Sequence, residues 1–227
     1  MEDTKERFEE MASDYNEDIV KLIPKYNEML ESLLNSVEFN TDSEIKVLEL
    51  GSGTGILTKK IKERFPNSEI VSIDLSYNMV EKAKENLKSY GNIEFKVGDF
   101  TKIDLGSGYD VVISSLAIHH LEANPDKIEL FSRIYDSLKE NGIFYNADVL
   151  LGSSEYIKYI NSYIFKEYLK INFTEEEILK IAKNREEVDY PSTLFNQLNW
   201  LERVGFRNIE VVWKYYGHGV YGGKKRT

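Results

Sequence analysis

The stretch Val47–Thr58, VLELGSGTGILT, decides the fold. Val47, Leu48 and Leu50 make a short aliphatic run bounded by glycine, the pattern of a strand buried on both faces. Gly51, Gly53 and Gly55 allow φ > 0 and let the backbone approach a ligand where a Cβ would clash. From Ile56 onward the chain reads as helix, whose N-terminus offers unpaired N–H groups and a positive dipole end. Strand, glycine turn and helix N-terminus together predict a site for a nucleotide-like ligand.

Spacing narrows the ligand. A dinucleotide fingerprint G-x-G-x-x-G would need glycine where Ile56 stands, and a P-loop needs a Gly-Lys-Ser/Thr that is absent. The pattern Glu49-x-Gly51-x-Gly53-x-Gly55 resembles motif I of the class I S-adenosyl-methionine-dependent methyltransferases. That resemblance implies an α/β, Rossmann-like fold with a mostly parallel seven-stranded sheet, an antiparallel last strand and a helical cap. It also implies a turn, Gly51-Ser52-Gly53 through Gly55, that accommodates the amino-acid and ribose parts of the cofactor.

Outward from the turn, strands and helices alternate. Ile56–Phe65 reads as a helix closed by Pro66-Asn67, and Glu69–Leu75 as a second strand ending near Asp74. Tyr77–Ser89 is an amphipathic helix, and Ile93–Val97 and Tyr109–Ser115 are the next strands. A helix over about Pro125–Lys139 and an Asn141-Gly142 turn precede strand Ile143–Val149. Such alternation argues a parallel sheet with crossovers on both faces.

The ends of the chain depart from that rhythm. Phe8, Met11, Ile19, Leu22, Met29, Leu30 and Leu33 recur at helical spacing, with Pro24 interrupting. Leu151–Asp189 reads as one or two inserted helices, with a capping box at Thr174 and Glu177. Ser192–Val204 is a further helix, and Ile209–Trp213 with Gly217–Gly222 reads as a closing hairpin. The expected organisation is one methyltransferase domain over 1–227. Within it lie a helical cap (1–42), a cofactor-binding core (43–150), a helical lid insertion (151–190) and a C-terminal helix with the hairpin (191–227).

Composition restricts the partners. In 227 residues, 39 acidic side chains against 29 Lys and Arg give a formal net charge of −10, which disfavours broad electrostatic binding to nucleic acid. The absence of cysteine excludes disulfides, thiolate metal sites and cysteine nucleophiles, and no metal is expected. No run is apolar enough to span a bilayer, and the start MEDTKERFEE is unlike a signal peptide. The expectation is a cytoplasmic enzyme with a small-molecule substrate; a dimer is compatible with the sequence.

Ligands in open parallel sheets bind beyond the carboxyl ends of the strands. There the resemblance places Asp74 on the ribose hydroxyls, which a carboxylate can accept together; the competing role is a helix N-cap by Asp74 or Ser76. It places Asp99 on the adenine amino group with Phe100 beside the ring, against a plain turn-capping Asp99. The resemblance also sets Leu75 and Met79 along the adenine slot, Met79 competing with ordinary helix packing, and implies that Glu49 acts through the loop or the cofactor's ammonium end. The resemblance sets Ser115–His120 at the edge nearest the transferred methyl, so His119 is the candidate general base, as a neutral imidazole, or substrate contact, the competing role being to position loops. His120 is expected to pack or face solvent. The segment Met11–Tyr15 resembles one that folds over the cofactor, which would set the Tyr15 π-face against the sulfonium. Tyr26, Tyr159, Tyr163 and Arg185 are candidate substrate contacts, the tyrosines competing with simple helix packing.

Three functional readings follow. The first is methyl transfer from S-adenosyl-methionine to a small molecule by in-line displacement. The second comes from the C-terminal run GFRNIEVVWKYYGHGVYGGKK and the N-terminal DYNEDIVKLIPKY, which resemble the carboxy-S-adenosyl-methionine synthase group. That group needs a basic residue for an extra carboxylate, and Arg185 is a loose positional match. The third is a non-catalytic S-adenosyl-methionine-binding protein.

Overall fold

The computed structural model describes residues 2–11 and 15–226; Ala12, Ser13 and Asp14 of the segment expected over the cofactor lie outside them. At the centre of the sheet lies β1 (Lys46–Leu50), followed by α4 (Ile56–Arg64), β2 (Glu69–Asp74), α5 (Tyr77–Asn86) and β3 (Ile93–Val97). The second half runs β4 (Tyr109–Ser115), α6 (Asn124–Ser137) and β5 (Leu138–Val149). Before β1 come α1 (Glu2–Met11), α2 (Tyr15–Leu22) and α3 (Tyr26–Asn35). After β5 come α7 (Glu155–Leu169), α8 (Glu175–Val188), α9 (Leu194–Val204), β6 (Arg207–Tyr215) and β7 (His218–Lys224).

The seven strands are ordered β3-β2-β1-β4-β5-β7-β6. β1 through β5 pair in parallel, and β7 runs antiparallel to both β5 and β6. Strand order reverses between β1 and β4, where crossovers leave on opposite faces and open a crevice. Leu50 is in register with both Ile73 and Ser114, so the carboxyl ends of β1, β2 and β4 meet at that crevice.

Alternation along the strands builds two cores. Val47, Val111 and Ile143 join Met29, Leu30 and Leu33 of α3 on one face. Leu48, Val112 and Phe144 join Phe131 and Ile134 of α6 on the other. Residues i and i+1 of a strand point to opposite faces, so a sheet covered on both sides needs the continuous apolar run seen at Val47-Leu48. Each fully buried Leu contributes on the order of 2 kcal/mol of transfer free energy.

Two local details differ from the sequence expectation. The expected turn at Asn141-Gly142 is absorbed into β5, which begins at Leu138. Asn141 takes φ 62°, and the β4–β5 register shifts between Tyr109 and Val111. A Cβ on Gly142 would lie 2.9 Å from the Lys139 carbonyl oxygen, so glycine permits the irregularity. The insertion resolves into two helices, and Thr174 with Glu177 forms the expected capping box at the start of α8.

Candidate functional site

The turn after β1 is held by its neighbour strand. Gly51 and Ser52 donate their N–H groups to the Ile73 carbonyl at 2.8 and 3.1 Å. Gly51 takes φ 73°, and a Cβ there would fall 2.2 Å from the Ala117 Cβ, so the β1 and β4 loops approach only because both residues are small. Gly53 takes φ 53° and donates to Asp74 Oδ2 at 2.7 Å. Gly55 faces Leu87 and is a packing residue beneath the turn. Ser52 is not among the residues that line the crevice, and its buried hydroxyl has no hydrogen-bond partner among the described residues.

Asp74 sits at the tip of β2. Its Oδ1 accepts from Ser76 N–H at 2.9 Å, while the N-cap of α5 is Ser76, whose hydroxyl accepts from Met79 N–H. Asp74 is thus not the side-chain cap of the helix, and it opens into a cleft. That cleft, about 500 Å³ and partly open to solvent, is lined by Gly51, Gly53, Asp74, Leu75, Met79, Phe100 and Ser115, with Phe8, Tyr15 and His120 closing it. Burial pushes the Asp74 carboxyl up, against the pull of its backbone N–H partners.

The lining suits an adenosyl sulfonium. Ser115 Oγ is buried in the cleft with no hydrogen-bond partner among the described residues, a group that a ligand can satisfy. Asp74 offers acceptor positions for two hydroxyls, while Leu75, Met79 and Phe100 supply the apolar slot a purine needs. Tyr15 presents an aromatic ring, and burial with the Asp74 charge pushes its phenol far up, so it stays neutral.

Glu49 is buried and hydrogen-bonded to the Thr58 hydroxyl. Burial pushes its carboxyl up to about 8, so it is a neutral acid supporting the loop from below. Asp99 does not line the cleft. Its Oδ1 accepts from Thr101 N–H and Oγ1 at 2.9 and 2.6 Å, and Oδ2 pairs with Lys102 at 3.0 Å. Burial pushes that carboxyl up, but the Thr101 bonds and Lys102 hold it below its usual range. Asp99 therefore shapes the turn that presents Phe100, and the adenine-reading role finds no support in its contacts. Arg133, which the sequence gave no reason to single out, clamps the same turn through the Phe100 and Ile103 carbonyls.

A second cavity, about 570 Å³ and partly open, adjoins the first. Phe8, Tyr15, Leu116 and His120 line both, and Arg7, His119, Phe165, Arg185 and Asp189 line the second. Leu116 takes φ 54°, an uncommon conformation for a side chain of this kind, at the boundary between the two. Helix α1 roofs this junction and is latched down by Glu9, whose carboxylate accepts from Tyr77 and Asn78 N–H at 2.8 and 2.9 Å. A carboxylate at the N-terminus of α5 also faces its positive dipole end.

The adjacent histidines behave oppositely. His119 Nδ1 lies 2.5 Å from Asp148 Oδ1, and its Nε2 lies 3.6 Å from Asp189 Oδ1. Burial alone would lower the imidazole, but Asp148 and Asp189 outweigh it and push it up to about 9. Two carboxylates therefore favour the imidazolium form of His119, an arrangement that suits positioning of the β4 loop better than the neutral-base role expected of it. His120 is buried rather than solvent-facing. Its Nδ1 donates to the Val188 carbonyl at 2.9 Å, and burial with the neighbouring His119 charge pushes it down to about 3. The signal for Asp148 was available, since it too is an acidic residue near a strand's carboxyl end; Asp189 follows an inserted helix and carried none.

The remaining expected contacts are distributed otherwise. Tyr26 is buried in the core below the sheet and outside both cavities. Tyr159 and Tyr163 are 68% and 52% exposed on the outer face of α7, stacked on each other. The opposite face of α7, with Asn161, Phe165 and Leu169, points inward, so the stripe lies half a turn from any cavity. Arg185 does line the second cavity, held by Asp189 at 3.0 Å and stacked 4.3 Å from the Phe165 ring centre.

The sheet order, glycine turn and acidic strand tip define a class I, Rossmann-like methyltransferase fold. Residues 47–142 match the family described as "Methyltransferase domain". The chain is 30% identical over 210 residues to a carboxy-S-adenosyl-L-methionine synthase of Nautilia profundicola, covering 91% of this chain and 88% of that protein. It is 32% identical over 125 residues to a malonyl-[acyl-carrier protein] O-methyltransferase of Ilyobacter polytropus, covering 54% of this chain and 46% of that one. The solved N-methyltransferase NodS of Bradyrhizobium japonicum, in complex with S-adenosyl-l-homocysteine, shares the fold with a TM-score of 0.72 at 12% identity, covering 99% and 100% of the two chains. The chain belongs to the S-adenosyl-methionine-dependent methyltransferase family, and is an enzyme with S-adenosyl-methionine as its cofactor. Among the described residues no helix is long and apolar enough to cross a membrane.

Proposed function

We propose that the protein transfers a methyl group to a small molecule held in the cavity between α1, α7 and α8. The observation that carries this reading is the junction: Phe8, Tyr15, Leu116 and His120 line both the cofactor cleft and that cavity. When bound, S-adenosyl-methionine supplies an already activated sulfonium methyl, which asks the protein mainly for alignment and exclusion of water. Asp74 and Ser115 would hold the ribose and neighbouring polar atoms, and Leu75, Met79 and Phe100 the base. Tyr15 would face the sulfonium with its ring. His119, fixed by Asp148 and Asp189, would act as a positioning residue that braces the β4 loop to α8. His120, neutral with a free Nε2 lone pair, would be an acceptor for a substrate hydrogen bond; a pKa near 3 makes it too weak a base to deprotonate most nucleophiles.

On this reading residues 1–42 and 151–190 select the acceptor, residues 43–150 bind the cofactor, and residues 191–227 close the sheet. A net charge of −10 supports a small molecule over nucleic acid, and a cytoplasmic setting is part of this reading.

A second reading, carboxy-S-adenosyl-methionine synthesis, has the full-length similarity in its favour. Arg7 also lines the second cavity with no carboxylate in ion-pair distance among the described residues. Against it, Arg185 is already engaged by Asp189 and Phe165. Mass spectrometry of the ligand that co-purifies separates the two. S-Adenosyl-methionine or S-adenosyl-homocysteine is expected, and a carboxylated sulfonium would overturn methyl transfer in favour of the second reading. Failure to release S-adenosyl-homocysteine with any fraction of a metabolite extract would sink methyl transfer, and failure to form a carboxylated sulfonium as well would leave a binding protein.

A further inference from the structure

A third cavity, distinct from the two above, is walled mainly by apolar side chains. It lies between α7, α8, the end of β5 and the β6–β7 hairpin, and holds about 930 Å³, partly open to solvent. Its walls are mostly apolar: Pro24, Phe165, Leu169, Ile178 and Pro191 among them. Apolar walls that do not meet forfeit dispersion contacts, which an apolar ligand lying between them would restore.

Two features tie it to the acceptor site. Val149, Phe165 and Arg185 line both this cavity and the second one, so the pair formed by Arg185 stacked on Phe165 is the partition between them. At the inner end stands His218, the first residue of β7, only 4% exposed. Its Nε2 is buried with no hydrogen-bond partner among the described residues. A buried ring nitrogen left unpaired is unfavourable, and a ligand hydroxyl placed there would restore its missing hydrogen bond. A hydroxyl suits either tautomer because it can both donate and accept.

We propose that this cavity is the acceptor's second compartment, and that the acceptor is an elongated amphipathic molecule. Its apolar body lies between α7 and α8, a hydroxyl or similar neutral group meets His218, and its reactive end passes the Arg185–Phe165 partition towards Tyr15. The inference rests on the acceptor site proposed above. It explains why α7 turns Phe165 and Leu169 inward while exposing its tyrosines: the inner face is a wall, not a core.

Straight-chain 1-alkanols from butanol to decanol, titrated into the full-length protein saturated with S-adenosyl-homocysteine, test it. Each added methylene should tighten binding about fourfold until the compartment is filled. Ala182 lines the cavity and no other described here, so Ala182→Phe should abolish the chain-length gain while leaving S-adenosyl-homocysteine affinity unchanged. His218→Leu should weaken every alkanol about fivefold with the chain-length slope intact. A wild-type series with no dependence on chain length would overturn the proposal, whatever the variants do. So would a slope that survives Ala182→Phe. Because these are binding measurements, a compartment that takes alkanols in a protein that never releases S-adenosyl-homocysteine would fault the methyl-transfer reading alone.

Discussion

The two halves of the site are built by different means. On the cofactor side the contacts come from backbone turns at strand ends: Gly51 and Ser52 on the Ile73 carbonyl, Gly53 on Asp74, all fixed by strand register. On the acceptor side they come from side chains of helices outside the sheet: Arg7 and Phe8 of α1, Phe165 of α7, Arg185 of α8. A backbone turn tolerates few sequences, because Gly51 has no room for a Cβ beside Ala117. A helix face tolerates many, since only size and polarity at every third or fourth position matter. One scaffold can therefore keep its cofactor while its acceptor varies.

Removing an anchor of the first half should do the most damage. Asp74→Ala removes the buried carboxylate that holds Gly53 N–H and faces the cleft. Loss of charge-assisted bonds to the turn and to the ligand is worth about 3 kcal/mol or more, so cofactor affinity should fall on the order of a hundredfold. Unchanged affinity by calorimetry would remove Asp74 from the cofactor site.

The join between the halves is electrostatic, and its pH dependence can be assigned a sign. The His119 imidazole is pushed up to about 9 in the fold by Asp148 and Asp189, while the unfolded chain releases the same proton near 6.5. Between those values the folded state holds more protons than the unfolded one, so this stabilisation is complete below about 6.5 and is lost as pH rises towards 9. His119→Gln should therefore destabilise strongly at pH 6 and distinctly less at pH 9, measured by urea midpoints. A deficit independent of pH over that window would mean that His119 only fills space.

The same contrast explains what was legible in the sequence. Glu49 through Gly55 and Asp74 could be located because strand ends and glycine turns are local features, set by residues within a few positions of one another. The mostly parallel seven-stranded sheet followed from that family resemblance, though not its strand order, and the observed hairpin β6–β7 extends the expected one by a few residues at either end. Contacts made across long stretches of sequence were not legible. Asp189 meets His119 from 70 positions away only because α8 ends beside the β4 loop, and no periodicity encodes that. Asp99 left two roles open for the opposite reason: Thr101, two residues on, engages its carboxylate locally, and strand position alone does not decide between turn cap and ligand contact.

The smallest effect should come from the aromatic stripe. Tyr156, Tyr159 and Tyr163 recur at helical spacing, which a sequence reading assigns to whatever α7 packs against. The face that packs is instead marked by Asn161, Phe165 and Leu169, and the tyrosines stand 70%, 68% and 52% exposed. Periodicity gives the presence of a face but not its direction, and here a polar residue, Asn161, points in while rings point out. Replacing Tyr159 and Tyr163 together with Ala should change stability by less than about 0.5 kcal/mol each and leave the acceptor KM where it was. A raised KM with unchanged cofactor affinity would show that acceptor recognition extends to the outer face of α7, and the boundary between the two halves would have to be redrawn there.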